Sequence, residues 1–168
     1  VTTIKGSAFG YNKITSLTLN EGLVTIGSSA FTEIAIKTLK TPSTLVSIEY
    51  GAFYKNKITS LTLNEGLISI EGEAFYNNSI TSVKAPNTLV TIGTSAFEEN
   101  NISSLTLNSG LKTIRDFAFF RNKIPSVTIP TSVTYLGNAS FNDNILPDSI
   151  ATLYIRISDG SEDKTLVV

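Results

Sequence analysis

The chain contains no cysteine, histidine, methionine or tryptophan. Without cysteine there can be neither a disulfide framework nor a thiolate metal site. Without histidine the commonest general base and the commonest metal ligand are both missing. A nucleophile would have to be Ser or Thr working without an imidazole, and the carboxylates show no paired spacing within a repeat. These absences point away from an enzyme, and no cofactor is expected. Charged residues are 16% of the 168, with a formal net charge of -1, so no long-range field draws the chain to nucleic acid or an anionic membrane. No apolar run approaches the ~20 residues that cross a bilayer.

What the chain does have is a period. Ala8-Phe9 returns as Ala30-Phe31, Ala52-Phe53, Ala74-Phe75, Ala96-Phe97 and Ala118-Phe119, and fades to Ser140-Phe141, always at a step of 22 residues. A fixed step of that size marks a solenoid in which each unit is one coil. About seven coils are expected, roughly 34 Å long at ~4.8 Å per coil. A single coil buries too few apolar side chains to offset the entropy of ordering its backbone, so the coils must seal one another's faces.

Stacked units show which columns face inward. Ile14, Ile36, Ile58, Ile80, Ile102 and Ile124 form one, and Leu17, Leu39, Leu61, Val83, Leu105 and Val127 follow three places on. The alternation across Leu17-Thr18-Leu19 reads as a short strand with one buried face. The columns headed by Leu23 and Ile26 predict a second extended segment on the opposite wall. The stretch around Ala30-Phe31 is too short for a full helix and predicts a single 3₁₀ or α turn.

Two further columns carry structural information. Asn12, Asn56, Asn78, Asn100, Asn122 and Asn144 form a ladder whose amides can bond buried backbone or one another. Ile34 breaks it, which predicts a gap or a local rearrangement in the second coil. Asn20, Pro42, Asn64, Pro86, Asn108 and Pro130 alternate strictly, so two turn types alternate and the unit is nested in one of 44 residues.

The spacing of Ile14, Leu17 and Leu19, joined to Leu23, Ile26-Gly27 and Ala30-Phe31, resembles the BspA-like leucine-rich repeat. The likeness runs from residue 1 to about 144. The match is closest in the proline coils, such as Val127-Thr128-Ile129-Pro130-Thr131-Ser132-Val133. Two departures stand out. Family units usually carry Cys where this chain has Asn12 and its equivalents, and they usually run one residue longer. The resemblance implies a β-rich solenoid of the leucine-rich-repeat type, α/β by family, in a bacterial surface or secreted protein. It implies adhesion or protein binding, without cofactor or catalysis.

Two candidate ligand surfaces follow. Outward strand residues are expected to form a continuous hydroxylated ribbon in which Lys40 and Lys84 are the charged members. Outside the core slots, Tyr54, Tyr76 and Phe120 share the column after the core Phe, flanked by Tyr50 and Phe117. They form either an exposed aromatic stripe or a seal folded over the core. The expected partner is a protein on a host or neighbouring cell, bound by a monomer, with no nucleic acid and no membrane insertion. A passive spacer is the alternative, and an ice-binding face a distant third. The chain starts in mid-coil, in register with Leu23 and Ile26, which reads as a piece of a longer repeat protein whose export signal lies upstream. After Phe141 the period fails. Residues 145–168 are expected to form a β cap or the start of a following domain, with a hairpin between Leu153–Ser158 and Lys164–Val168 turning through Asp159-Gly160-Ser161-Glu162-Asp163. That acidic turn lacks the ligand spacing of a calcium loop.

Overall fold

The computed structural model describes residues 1–146 and the backbone of two strands further on, 153–155 and 164–166. Each coil contributes a two-residue strand from its second apolar segment: β1 Thr3–Ile4, β2 Thr25–Ile26, β4 Ser47–Ile48, β6 Ser69–Ile70, β8 Thr91–Ile92, β10 Thr113–Ile114 and β11 Tyr135–Leu136. These pair in parallel into one continuous seven-stranded sheet with a register step of 22. Six turns of chain separate its first and last rungs, so the solenoid has about six coils rather than seven and is roughly 29 Å long at ~4.8 Å per coil.

The first apolar segment behaves differently. It forms β3 Thr38–Lys40, β5 Ser60–Thr62, β7 Ser82–Lys84 and β9 Ser104–Thr106, but these pair only as β3 with β5 and β7 with β9. The ribbon that the sequence predicts as continuous is broken into two-coil steps. Its breaks fall at every junction from an Asn coil to the Pro coil that follows.

The alternating turn chemistry accounts for this. Within a pair the Pro coil reaches forward: the Thr41 N–H donates to the Thr62 carbonyl at 3.0 Å and that of Ala85 to Thr106 at 2.9 Å. The Asn coil reaches back. The Asn64 N–H donates to Thr41 Oγ1 at 2.9 Å, and its side-chain amide donates to the Thr41 carbonyl. Asn108 Nδ2 likewise donates to the Asn87 and Leu89 carbonyls. Pro42 and Pro86 stand where Asn64 has its backward-pointing N–H, and a proline has none to give. Each Asn coil is thus drawn toward the Pro coil before it and away from the next.

At the Ala-Phe corner no helix forms among the described residues, contrary to the 3₁₀ or α turn expected there. Two overlapping turns form instead, closed by Ala30 N–H to Gly27 and Thr32 N–H to Ser29. Their key residues are left-handed: Ser29 at φ 56° and Glu33 at φ 52°, with equivalents in every coil. That conformation turns the N–H groups of Ser29, Phe31 and Glu33 out of their own coil. They donate to Tyr50, Ala52 and Tyr54 of the next at 2.8–2.9 Å. A helix would keep those N–H groups within its own coil, so bonding along the stack is what displaces it.

Behind the corner, Phe9, Phe31, Phe53, Phe75, Phe97, Phe119 and Phe141 stand in one file. Successive ring centroids are 5.2–5.5 Å apart and planes lie within 12° of parallel. The separation exceeds the coil rise because the rings slide into the offset that their quadrupoles favour. The five inner rings, Phe31 to Phe119, are buried, while Phe9, on the outer coil, is 43% exposed.

The Asn ladder runs beside this file and bonds backbone, not neighbouring amides. Asn100 Oδ1 accepts from the Ile80 N–H of the coil before at 3.0 Å, while Nδ2 donates to the Phe75 and Phe97 carbonyls at 2.9 and 3.1 Å. Asn78, Asn122 and Asn144 repeat the pattern. Ile34 is buried in the slot where the second coil lacks its Asn. The Ile14 N–H therefore lacks the partner its counterparts have, and Ala35 next door is left-handed at φ 62°. The rearrangement expected at the second coil is present.

Beyond residue 146, β12 Leu153–Ile155 pairs antiparallel with β13 Lys164–Leu166, which agrees with the hairpin reading. Its acidic turn lies outside the described residues.

Candidate ligand surface

The corner presents its aromatics in two patches. Tyr54 and Tyr76 are half-buried and stacked at 5.1 Å. Tyr50, 51% exposed, lies against Gly72 of the next coil. Two coils further on, Phe117 (40% exposed) meets the half-buried Phe120 edge-to-face at 5.6 Å. Glu98 occupies the shared column between the patches, so the stripe is interrupted, neither fully exposed nor folded away. Lys40 and Lys84 lie on the ribbon, apart from these aromatics.

The corner is also acidic. Glu49, Glu71, Glu73, Glu98, Glu99, Asp116 and Asp143 all belong to it. Glu73 beside Tyr50, helped by partial burial, raises the phenol to about 12. Burial first, then the Glu99 and Glu98 carboxylates, raises Tyr76 to about 12. The Asn77 amide, then the Arg121 guanidinium at 2.9 Å, hold Glu99 below the usual carboxylate range. Arg121 also covers the Phe120 ring at 5.0 Å, a geometry in which a cation is drawn to the ring face. Both aromatic patches are thus tied to charged neighbours.

The ribbon is the reverse in charge. From Lys13 to Leu19, and at the same places in the next five coils through Ile129, there is no Asp or Glu. There are six lysines: Lys13, Lys37, Lys40, Lys57, Lys84 and Lys123. All are exposed, and none forms an ion pair among the described residues. The sequence reading singled out only Lys40 and Lys84, because it followed two outward columns. The missing acid in every Ile-x-x-(Leu/Val) segment was the signal for the rest. A further feature, an exposed aliphatic line of Val24, Val46 and Ile68, runs beside the seven-stranded sheet.

At each break in the ribbon a groove opens. The groove between the first and second coils has a volume of about 600 Å³, that between the third and fourth about 410 Å³, and that between the fifth and sixth about 450 Å³. One wall is a Leu-Thr-Leu segment whose leucines (Leu17, Leu19, Leu61, Leu63, Leu105, Leu107) are only half-buried. The facing wall is Lys40-Thr41-Pro42, Lys84-Ala85-Pro86 or Thr128-Ile129-Pro130. Carboxylates stitch the far end of the first two. Glu21 accepts from the Ser43 N–H and hydroxyl at 3.1 and 2.9 Å, which lowers its pKa. Glu65 accepts from Asn87 and the Thr88 N–H at 3.0 and 3.3 Å. No cluster of metal-ligating side chains occurs among the described residues.

Coil length, corner and parallel rungs define a leucine-rich-repeat solenoid. The model of the BspA type leucine rich repeat region matches residues 2–84 and 68–155, with six copies, and the chain belongs to that family. Solved structures share the fold. A leucine rich cell surface protein from Faecalibacterium prausnitzii A2-165 superposes with a TM-score of 0.70 at 20% identity, over 87% of this chain and 43% of that one. The pneumococcal vaccine antigen PcpA gives 0.67 at 21%, over 84% and 41%. A leucine-rich repeat protein from Bacteroides ovatus ATCC 8483 gives 0.64 at 23%, over 89% and 48%. The chain therefore spans less than half the length of each of these proteins. No curated protein sequence matches it.

Proposed function

We propose that the chain is a non-catalytic protein-binding module of a bacterial cell-surface or secreted protein, acting in adhesion to a host or neighbouring cell. The observation that carries this reading is the segregation of charge: six exposed lysines, without an ion pair among the described residues, on a ribbon without a single carboxylate, on a molecule of net charge -1. Solubility alone needs mixed charges, whereas a one-sign field steers an oppositely charged partner. The surface protein and vaccine antigen among the similar structures support an extracellular setting. The stiff, closed file of phenylalanines also suits a spacer that holds another domain outward.

The test is binding of the purified chain to intact epithelial cells and to immobilised extracellular-matrix proteins. Adhesion predicts saturable binding that weakens with added salt. Binding that never saturates, or none at all, favours the spacer.

A further inference from the structure

The grooves have a spacing that selects a ligand. They recur once per two coils, about 9.6 Å apart at ~4.8 Å per rise. A polyproline II segment repeats every three residues at ~3.1 Å each, about 9.3 Å, with every third side chain on one face. A β-strand places same-face side chains only ~6.7 Å apart and falls out of step at the first groove. An α-helix repeats after seven residues, ~10.5 Å, and runs ahead by about 1 Å per groove.

We propose that the ribbon holds a segment of a partner protein in the polyproline II conformation, laid along the stack. It carries an apolar side chain at every third position and a carboxylate beside each. The apolar groups enter the grooves against Leu17 and Leu19, Leu61 and Leu63, and Leu105 and Leu107, which stay half-buried where Leu39 and Val83 are buried. The carboxylates meet Lys37 and Lys40 at the first groove and Lys84 at the second, while Glu21 and Glu65 at the far ends are engaged by Ser43 and by Asn87 and Thr88. The third groove has Thr128 in the lysine position and Ser109 in place of the stitching Glu, so it takes a neutral end of the segment. The segment's carbonyls, which have no internal hydrogen bonds, face the hydroxyls of Thr18, Thr62 and Thr106. A partner backbone so pre-ordered loses little entropy on docking. This inference rests on the protein-binding reading and names the chemistry of the partner.

The test uses the whole chain and three labelled peptides followed by fluorescence anisotropy: four repeats of Leu-Glu-Pro, three repeats of Leu-Glu-Pro-Pro, and four repeats of Leu-Lys-Pro. The first matches the groove spacing, the second is out of phase, and the third reverses the charge. The in-phase acidic peptide is expected to bind at least about tenfold tighter than either control. The double variant Lys40→Glu/Lys84→Glu should lose that preference, as should Thr62→Phe, which fills the second groove. All three positions are exposed, and an unchanged thermal transition shows that the variants fold. Equal affinity for the in-phase and out-of-phase peptides overturns the proposal. So does polygalacturonate displacing the peptide and binding more tightly, which marks the ribbon as a general polyanion site. Saturable cell binding without any peptide preference overturns this inference alone and moves the ligand to another face.

Discussion

The Ala-Phe corner and the ribbon are built from the same 22-residue unit, yet one is closed and the other open. At the corner the inner coils bond both neighbours alike: three N–H groups pass along the stack, a ring stacks on the next ring, and from the third coil on an Asn ties buried carbonyls. On the ribbon the bonds reach forward from a Pro coil and stop at the Asn coil after it. The corner follows the single repeat and the ribbon follows the double one. A short period makes a continuous core, while the longer one leaves regular openings in a surface. Charge divides the same way, with acid at the corner and only lysine on the ribbon.

The sharpest way to break the comparison is to interrupt the closed side. Phe75→Ala, at the centre of the file, should cost about 3–5 kcal/mol, read by chemical denaturation. The same change at the half-exposed Phe9 should cost much less. Next comes the ladder. Asn100→Leu leaves the Ile80 N–H buried without a partner, while the Phe75 and Phe97 carbonyls each keep one donor, from Asn78 and Asn122; it should cost roughly 1–3 kcal/mol. The converse substitution closes what is now open. Ile34→Asn supplies the missing ladder member at the loss of a fully buried apolar side chain, so it should slow hydrogen exchange at the Ile14 amide without raising overall stability. If exchange there is unchanged, the Ile14 N–H does not take the new side chain as its partner.

The smallest effects come from titration at the acidic corner. Tyr50 and Tyr76 are raised to about 12, so their neutral forms are favoured in the folded chain. The stability they contribute is complete below the ordinary tyrosine value near 10 and is lost as pH rises from there toward 12. Ultraviolet titration should show these two phenols ionising above the ordinary tyrosine range near 10. Glu99 has the opposite sign. Its lowered pKa adds stability above about 4.5 that fades as pH falls through the folded value, and Glu99→Gln should remove that acid-side slope. The pair with Arg121 is largely exposed and solvent-screened, so the gain is small.

Much of this architecture was legible in the sequence because a solenoid repeats its physics. The Phe column, the Ile26 column and the Asn ladder each announce a buried file by recurring at one step, and the break at Ile34 announced its own consequence. The corner turn was misread because its left-handed positions hold Ser29, Glu73, Phe117 and Ala139, none of which advertises positive φ as Gly does. The alternation of Asn and Pro was visible, but its effect on pairing was not. That effect depends on Asn64 reaching across to Thr41 in another coil, a direction no single column reveals. The ribbon's charge is countable in the sequence, but Lys13, Lys37, Lys57 and Lys123 stand outside the two outward strand columns, so those columns alone show only Lys40 and Lys84.

The alternation of Asn and Pro turns also governs how this rod can be edited. Excising one coil would set two turns of the same kind side by side, with two forward-reaching edges or two backward-reaching ones left facing each other. Excising two coils together restores the original succession. Shortened or lengthened versions should therefore refold readily in steps of 44 residues and poorly in steps of 22, which makes the coil pair, not the coil, the smallest interchangeable part.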